Sequence, residues 1–360
     1  MVRGFVASMF AMEYCMSQED IDLLRGMIER YSPSTEESEV SSFLIEAMKQ
    51  RGFKAYRDAV GNAVGEVGEG DRHIVLIGHI DTVAGIVPVR EKNGILYGRG
   101  TVDAKGSFAT FVSAVSRLTG VQGTRITVIG AVEEECPTSR GAWHLIDQMR
   151  PDCVFIGEPS GWDSITIGYK GIVCFDYHLE QPNAHFAGNN IRASERAIRL
   201  YNDISDYVAR QGAEREFDSP RLELRRFNTS DDGIIDGTTA CYAVRIPPAY
   251  DIDALINFVQ DHADGADIAC NQRLEGIVTE KNTPIIRSLL KGIRQAGGKP
   301  TFKKKTGTSD MCVVGPAWMC PIVAYGPGDS KLDHTPDEHM VLDEYIRAID
   351  VLTFALKQLI

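Results

Sequence analysis

Three features are missing from this chain of 360 residues: a long apolar run, a surplus of basic residues and a paired-cysteine motif. No uninterrupted apolar stretch approaches the roughly 18–20 residues that a membrane-spanning helix needs. The formal net charge of −12 argues against general binding to nucleic acids, which requires a basic surface. The eight cysteines contain no C-x-x-C pair, so we expect reduced thiols and a cytoplasmic location rather than a disulfide scaffold.

The length of the chain predicts two domains, because single cores rarely grow beyond about 250–300 residues. Residues 1–12 are apolar but short. A weak signal peptide is one interpretation of this stretch, and an extension before a domain that opens at Met16 is the one we favour. We therefore expect residues 1–16 to form an N-terminal extension.

Strand and helix signals alternate through most of the remaining sequence. Short runs rich in Val and Ile predict buried strands, at 73–78, 124–132, 152–157 and 321–325. Apolar residues at helical spacing predict helices, at 18–31, 36–51, 104–118, 140–149, 283–296 and 342–359. This alternation predicts an α/β domain with a mostly parallel sheet flanked by helices, over 17–170 and 276–360.

The pattern changes between residues 171 and 275. Strand signals at 172–180, 221–227, 238–246 and 267–275 enclose helices at 191–211 and 252–263. The resulting order, βαββαβ, is typical of a ferredoxin-like unit. We therefore expect a smaller α+β domain inserted into the larger one.

Potential metal ligands follow the predicted strands of the large domain. They are His79, Asp103, Glu134, Glu158 and His334. The carboxyl ends of parallel strands share one edge of a sheet, which is where open α/β sheets bind ligands. Imidazole and carboxylate donors in this number suit two zinc ions, with cobalt as a substitute in vitro. In this interpretation Asp103 bridges the two metals, with His79 and Glu158 on one and His334 and Glu134 on the other.

Two further acidic residues receive roles beside the metals. Asp81 lies two residues after His79 and is predicted to accept a hydrogen bond from the imidazole and orient the ring. Glu133 is adjacent to Glu134, and two carboxylates this close repel each other unless a cation offsets their charge. We expect Glu133 to act as the general base for the attacking water. Without the other ligands, the pair would be interpreted as part of a solvated loop.

These motifs resemble one family along nearly the whole chain from residue 17. The segments that carry the resemblance are 79–83, 98–106, 133–135, 157–160 and 334–338. They are similar to the co-catalytic zinc amidohydrolases and metallopeptidases, which include acetylornithine deacetylase, succinyl-diaminopimelate desuccinylase, aminoacylase and glutamate carboxypeptidase. The resemblance implies a cis peptide after Asp103 and a homodimer formed through the inserted lid domain.

The resemblance also suggests residues that contact the substrate. It implies that His185 reaches across the dimer interface and stabilises the oxyanion, whereas a lone loop histidine is usually only solvated. Arg245 is similar to an arginine that binds a substrate carboxylate, and the alternative is an outward charge on a strand. Gly307, Thr308 and Ser309 lie in a loop that can hold an α-carboxylate through hydroxyl and N–H groups, or that is only a glycine-containing turn.

The segment 305–311 resembles one branch of the family most strongly. This branch releases lysine or ornithine from the γ-carboxyl of the C-terminal glutamate of a small acidic amino-group carrier protein, in lysine and arginine biosynthesis. Lys303, Lys304 and Lys305 form a basic run that would steer such a carrier to the site, and the competing interpretation is a solvated charged strand.

Two other functions remain open from the sequence. The first is a deacylase for small N-acyl amino acids, of the acetylornithine or succinyl-diaminopimelate type, which needs no carrier. The second is a non-catalytic binding protein on the same fold. The presence of every ligand and of a base favours a zinc-dependent amide hydrolase over the second.

Overall fold

The computed structural model describes residues 17–185 and 187–360, so the predicted extension over residues 1–16 lies outside the described residues. Within them, no helix is long and apolar enough to cross a membrane. The chain divides into two compact units. The second unit comprises Gly168–Val278 and Lys304–Thr308, and the rest of the described chain forms the first. These limits fall a few residues from the predicted boundaries at 170 and 276.

A mostly parallel sheet forms the centre of the first unit. The strands run in the order β1-β2-β6-β3-β7-β15-β8, and β3, β6, β7 and β15 are mutually parallel where they pair. Their bounds are β1 Lys54–Arg57, β2 Ala63–Val67, β3 Arg72–His79, β6 Thr124–Ala131, β7 Cys153–Gly157, β8 Ser164–Tyr169 and β15 Ile322–Ala324. The central strands are buried along nearly their full length, as expected for strands covered on both faces.

Helices cover this sheet and contribute most of the core around it. They are α1 17–28, α2 Ser38–Gln50, α3 Lys105–Ser116, α4 Arg140–Leu145, α7 Pro284–Gln295, α8 Asp310–Trp318 and α9 Leu342–Lys357. The start of α7 follows from local chemistry, because the Thr283 side chain accepts a hydrogen bond from the backbone of Ile286 and Pro284 occupies the first turn. The predicted α/β architecture is confirmed.

A small antiparallel sheet lies beside the segments that carry Asp103 and His334. It consists of β4 Arg90–Lys92, β5 Ile95–Tyr97 and β16 His339–Val341, with β5 in the middle. The loop that contains Asp103 begins directly after β5, and His334 lies shortly before β16. Pairing of β5 with β16 therefore fixes the positions of both loops.

The second unit has the predicted βαββαβ order. Its elements are β9 Gly171–Pro182, α5 Ala193–Ala209, β10 Arg221–Asp231, β11 Ile235–Ile246, α6 Ile252–Asp261 and β12 Asp267–Leu274. The strands form an antiparallel sheet in the order β10-β11-β9-β12, and α5 and α6 share a buried apolar core with it. The alternation along β9 places Val173, Phe175 and Tyr177 in that core and leaves the intervening residues on the other face.

Several elements have no clear signal in the sequence pattern. They are α8, the strands of the small sheet, and three strands at one edge of the large sheet: β8, β13 (Ile277–Val278) and β14 (Thr301–Lys305). Pro316 lies inside α8, and prolines normally predict the end of a helix. Three successive lysines in β14 carry no apolar alternation, so nothing in that segment indicated a strand.

Candidate metal centre and active site

Three adjacent strands bring their carboxyl ends together at the centre of the sheet. β3 pairs with β6 and β7 in parallel, so that Gly78 lies beside both Gly130 and Gly157. A side chain at Gly157 would lie 3.1 Å from the Gly78 Cα and 3.1 Å from the Phe111 ring. Because all three strands carry glycine at this level, α3 packs closely against the sheet, and the polar residues that follow emerge at one edge.

Asp103 lies between two histidines. Its Oδ1 is 3.2 Å from His79 Nε2, and its Oδ2 is 3.0 Å from His334 Nε2. The Asp103–Ala104 peptide bond is cis, as the resemblance implied. The two oxygens of one carboxylate thus face separate imidazoles, which is the arrangement expected of a ligand shared by two cations.

A buried ion pair holds the backbone at Val102 and Asp103. The Glu338 carboxylate accepts hydrogen bonds from the N–H groups of Val102 and Asp103, at 3.0 and 3.2 Å. The other Glu338 oxygen is 2.7 Å from the Arg99 guanidinium. Glu338 is fully buried, and these partners offset the cost of burying its carboxylate. Glu338 lies in segment 334–338, but nothing in its sequence context indicated this role.

Glu135 completes the cluster around Asp103. Its Oε1 is 2.9 Å from His334 Nε2, and His79, Asp103 and Glu135 each offer one ligand atom within 4.8 Å of the others. Asp103 and Glu135, through hydrogen bonds, raise the pKa of His334 to about 10. The surroundings therefore favour a positive charge at this imidazole, which a metal cation provides in place of a proton.

The three successive glutamates do not take the positions predicted from the sequence. The Glu133 carboxylate binds Arg140 at 2.7 Å and the Thr138 hydroxyl at 2.6 Å. The backbone leaves the extended conformation at Glu133, with φ of 61°, and this turn directs the following side chains differently from a straight strand. Glu135, rather than Glu134, contacts His334. Glu134 and Glu135, rather than Glu133 and Glu134, are therefore the carboxylates with contacts to the two histidines.

Glu134 also faces the cluster, but at a longer distance than Glu135. Its Oε2 is 4.0 Å from His79 Nε2. Burial raises the pKa of Glu134 well above its usual range, and the nearby charges of Glu158 and Asp310 raise it further, although His79 opposes them. Its position beside these potential ligands makes Glu134 a candidate for the general base.

Asp81 contacts both the glutamate segment and His79. The Asp81 carboxylate accepts hydrogen bonds from the N–H groups of Glu134 and Glu135, at 3.1 and 3.0 Å. His79 Nδ1 is 3.0 Å from the Asp81 carbonyl oxygen and 3.4 Å from its carboxylate. Burial alone would raise the pKa of Asp81, but the bond and charge of His79 and the Ser34 hydroxyl more than offset it and keep the pKa low.

The donor chemistry of this cluster fits divalent cations. Glu158 is buried beside Glu134, and Asp310 is buried nearby with one carboxylate oxygen that has no hydrogen-bond partner among the described residues. Burial raises the pKa of Asp310 to about 7. Carboxylates collected in this way repel one another, and two imidazoles cannot balance them all. Metal ions would supply the missing positive charge.

The second unit contains four of the predicted substrate residues: His185, Arg245, Gly307 and Thr308. His185 is exposed in the loop before α5, and its Nδ1 accepts a hydrogen bond from the N–H of Ala187. The Arg245 guanidinium donates to the Thr308 hydroxyl at 3.0 Å, so the structure brings these two predicted residues together. Gly307 lies in the same loop, with open space around its Cα. Ser309 belongs to the first unit, where its side chain caps the first turn of α8.

The basic run does not form one continuous surface. Lys303 donates to the carbonyl oxygen of Ser160 at 2.6 Å. Lys304 Nζ lies 4.6 Å from the centre of the Phe217 ring, and Lys305 Nζ lies 6.0 Å from that of Tyr169. Successive residues of a strand point to opposite faces, so three neighbouring lysines in β14 cannot present a single patch. The predicted docking run is therefore divided among separate environments.

Comparisons with known proteins identify relatives of this chain. Residues 75–358 match the model of peptidase family M20/M25/M40. A [LysW]-lysine hydrolase from Deinococcus radiodurans is 42% identical over 94% of this chain and 96% of its own length. A putative [LysW]-lysine/[LysW]-ornithine hydrolase from Thermococcus kodakarensis is 38% identical over 95% of this chain and 93% of its own. In structure, an M20 metallo-carboxypeptidase from Sulfolobus solfataricus matches 95% of this chain and 99% of its own, with a TM-score of 0.77 and 17% identity.

Proposed function

We propose that this chain, which belongs to peptidase family M20/M25/M40, is an amide hydrolase. It hydrolyses the amide bond between a diamino acid and an acidic amino-group carrier protein. The bond joins the α-amino group of lysine or ornithine to the γ-carboxyl of the carrier's C-terminal glutamate. The names of the two relatives support this substrate, since both are [LysW]-lysine hydrolases or their lysine/ornithine counterparts. The reaction would release the free amino acid at the end of lysine or arginine biosynthesis.

The position of Asp103 between His79 and His334 is the observation that carries the proposal. Asp103, His334 and Glu135 would hold one metal, and Asp103, His79 and Glu158 the other. Zinc suits this set of nitrogen and oxygen donors, and cobalt would replace it in vitro. Two bound metals would polarise the scissile carbonyl and lower the pKa of the attacking water.

Residues of this chain transfer the proton of the attacking water and bind the charged groups of the substrate. Glu134 takes the proton from the water and passes it to the leaving amine. Asp81 keeps Glu134 and Glu135 in place through their backbone N–H groups. His185, contributed by the other subunit of a homodimer, would stabilise the oxyanion, and Arg245 with Thr308 would bind the α-carboxylate of the leaving amino acid.

A comparison of substrates tests the proposal. We expect fast release of lysine or ornithine from the carrier, with zinc or cobalt present, and slow turnover of N-acetylornithine and N-succinyl-diaminopimelate. If the free acyl amino acids are hydrolysed quickly and the carrier adduct is inert, the chain is a small-molecule deacylase and the carrier proposal is wrong.

Docking of the carrier has its own test. Lys304 is exposed on β14, and we expect Lys304→Ala to raise the KM for the carrier-linked substrate while turnover of a short γ-glutamyl-lysine amide stays unchanged. Lys291→Ala, at an exposed position of α7, serves as the matched control. An equal effect of Lys304→Ala on both substrates would contradict a docking role.

A further inference from the structure

The α1–α2 loop, residues 29–37, runs along the end of β3 and carries none of the predicted site residues. The Ser32 hydroxyl donates a hydrogen bond to the Ile80 carbonyl oxygen at 2.7 Å. The Ser32 carbonyl oxygen accepts the N–H of Thr82 at 2.9 Å, and the N–H of Ser34 donates to the Thr82 carbonyl oxygen at 3.2 Å. The loop therefore lies against the chain that follows β3, where the ligand cluster begins.

Glu37 extends from this loop to the glutamate segment. Its side chain is buried, and its Oε1 accepts the N–H of Thr35 at 2.8 Å and the N–H of Glu133 at 3.1 Å. Glu37 directly precedes α2, and its carbonyl oxygen accepts the N–H of Ser41, so the helix fixes its backbone. The carboxylate of Glu37 therefore ties the turn at Glu133 to the start of a helix.

Three consecutive N–H groups, those of residues 133–135, donate to buried carboxylates. Glu37 accepts the first, and the two oxygens of Asp81 accept the second and the third. The α1–α2 loop also contacts Asp81, because the Ser34 hydroxyl donates to its Oδ2 at 2.7 Å. The loop therefore holds the glutamate segment in two ways: directly through Glu37, and indirectly through Asp81.

This arrangement has an electrostatic cost. Burial raises the pKa of Glu37, and the nearby Asp81 charge raises it further, although the hydrogen bonds from backbone N–H groups oppose both. Buried carboxylates are costly unless their oxygens accept hydrogen bonds, and the N–H groups of residues 133–135 supply such bonds. The φ of 61° at Glu133 is a left-handed conformation that non-glycine residues rarely adopt, so surrounding contacts must hold it. Glu37 binds the N–H of this residue.

We propose that Glu37 is a positioning residue: its bond to the N–H of Glu133 holds the turn that directs the next two glutamates to the histidines. The inference rests on the proposed function, in which Glu134 is the base and Glu135 a metal ligand. Glu37 acts through the turn and is itself neither a base nor a ligand. Loss of its bond should therefore displace the base and lower kcat, but leave KM nearly unchanged, because other residues bind the substrate. Displacement of Glu135 should also weaken the binding of one metal.

The kinetics of three variants test this role. We expect Glu37→Ala to lower kcat on the carrier-linked substrate by roughly 10–100-fold, the effect that misplacing a catalytic group by about 1 Å can have, with KM within about twofold of the native value. Glu37→Gln keeps an oxygen that can accept the N–H of Glu133, so it should recover most of the kcat. Glu36→Ala, at the exposed glutamate beside it, is the matched control and should behave as the native enzyme.

A double variant separates positioning from stability. With saturating zinc, Glu37→Ala should have little further effect on kcat in a Glu134→Gln background, because the base that it positions has already been removed. Urea unfolding measures any loss of stability, and all assays use conditions in which each variant is folded. A role in stability alone would lower the free energy of unfolding and leave the kcat of the folded enzyme unchanged. If Glu37→Ala does not fold, Ser34→Ala replaces it, and a lower kcat at native KM is again expected.

Zinc affinity tests the same role without a substrate. In competition with a chromogenic chelator, Glu37→Ala should bind one zinc ion about tenfold more weakly than the native enzyme, and Glu37→Gln should bind zinc nearly normally. If the native enzyme does not hydrolyse the carrier-linked substrate, the proposed function is wrong, and zinc affinity still decides the role of Glu37. The inference is overturned if Glu37→Ala keeps both the native kcat and the native zinc affinity, or if Glu37→Gln is as impaired as Glu37→Ala.

Discussion

The carboxylate of Glu133 is bound to the guanidinium of Arg140 at 2.7 Å. This pair keeps Glu133 away from the histidine cluster, although Glu133 directly precedes the two glutamates that face it. On the proposed function, the ion pair and the turn at Glu133 leave Glu134 as the carboxylate that accepts a proton.

Glu134→Gln should inactivate the enzyme, whereas Glu133→Gln should not. Loss of a general base costs about 10²–10⁴-fold in kcat, and Glu134→Gln should show this with its metal content intact. Glu133→Gln is the matched control, because it removes the same charge one residue away and still accepts a hydrogen bond from Thr138. Steady-state kinetics on the carrier-linked substrate measure both. A larger loss of kcat in Glu133→Gln would support Glu133 as the general base, as predicted from the sequence.

Metal content should follow the revised ligand set. Glu135→Ala and His334→Ala are each expected to lower the bound metal by about one equivalent, since each removes a direct ligand. His144→Ala, a partly buried histidine outside the cluster, should bind metal normally. Elemental analysis after dialysis measures the stoichiometry. Removal of metal by a chelator should abolish hydrolysis, and zinc or cobalt should restore it.

The Arg99–Glu338 pair should matter more to stability than an exposed pair. Glu338→Gln leaves the Arg99 charge poorly compensated and weakens the bonds to the Asp103 segment, and breaking a buried pair typically costs about 3–5 kcal/mol. Asp343→Asn, which breaks the exposed pair with Arg347, should cost less than about 0.5 kcal/mol. Urea unfolding of both variants tests this difference. Similar losses in the two variants would show that Glu338 is not a structural anchor.

His73 should make the protein less stable in mild acid. Burial first, and then the nearby Arg125 charge, lower the pKa of His73 to about 4. An unfolded histidine has a pKa near 6.5, so between about pH 6.5 and pH 4 the unfolded state binds more protons than the folded state. The free energy of unfolding therefore falls as the pH drops through this interval, by at most about 3 kcal/mol from this residue.

The variant His73→Gln isolates that effect. Glutamine can keep a hydrogen bond to the Thr127 hydroxyl, which lies 2.9 Å from His73 Nε2, but it does not titrate. Urea unfolding between pH 4 and pH 7.5 should show a shallower loss of stability for the variant. Parallel curves for the two proteins would contradict the low pKa.

The secondary structure of the insert was predictable because its pattern is regular. The strands β9, β10, β11 and β12 were expected in order, and they start or end within a few residues of the predicted positions. Burial on one face gives such strands an alternating pattern that survives in the sequence. The helix α8 was not predictable by the same route, because Pro316 and the preceding loop residues carry signals of a turn.

The basic run shows a second limit of prediction from the sequence. Lys303, Lys304 and Lys305 are adjacent in sequence, and adjacency suggested one docking surface. Once they form a strand, alternate side chains point to opposite faces and find different partners. A cluster along the sequence is therefore not a cluster in space unless the local conformation is known.

By itself, the sequence determined which residue types stand near the strand ends: two histidines, an aspartate and a group of glutamates. That information is local, because it depends only on residue type and on strands whose apolar runs are plain. The tertiary structure alone decided which glutamate meets His334. Glu133, Glu134 and Glu135 are chemically identical, and only the positive φ at Glu133, the hold of Arg140 and the N–H bonds to Asp81 distinguish them. All of these depend on residues brought together by folding.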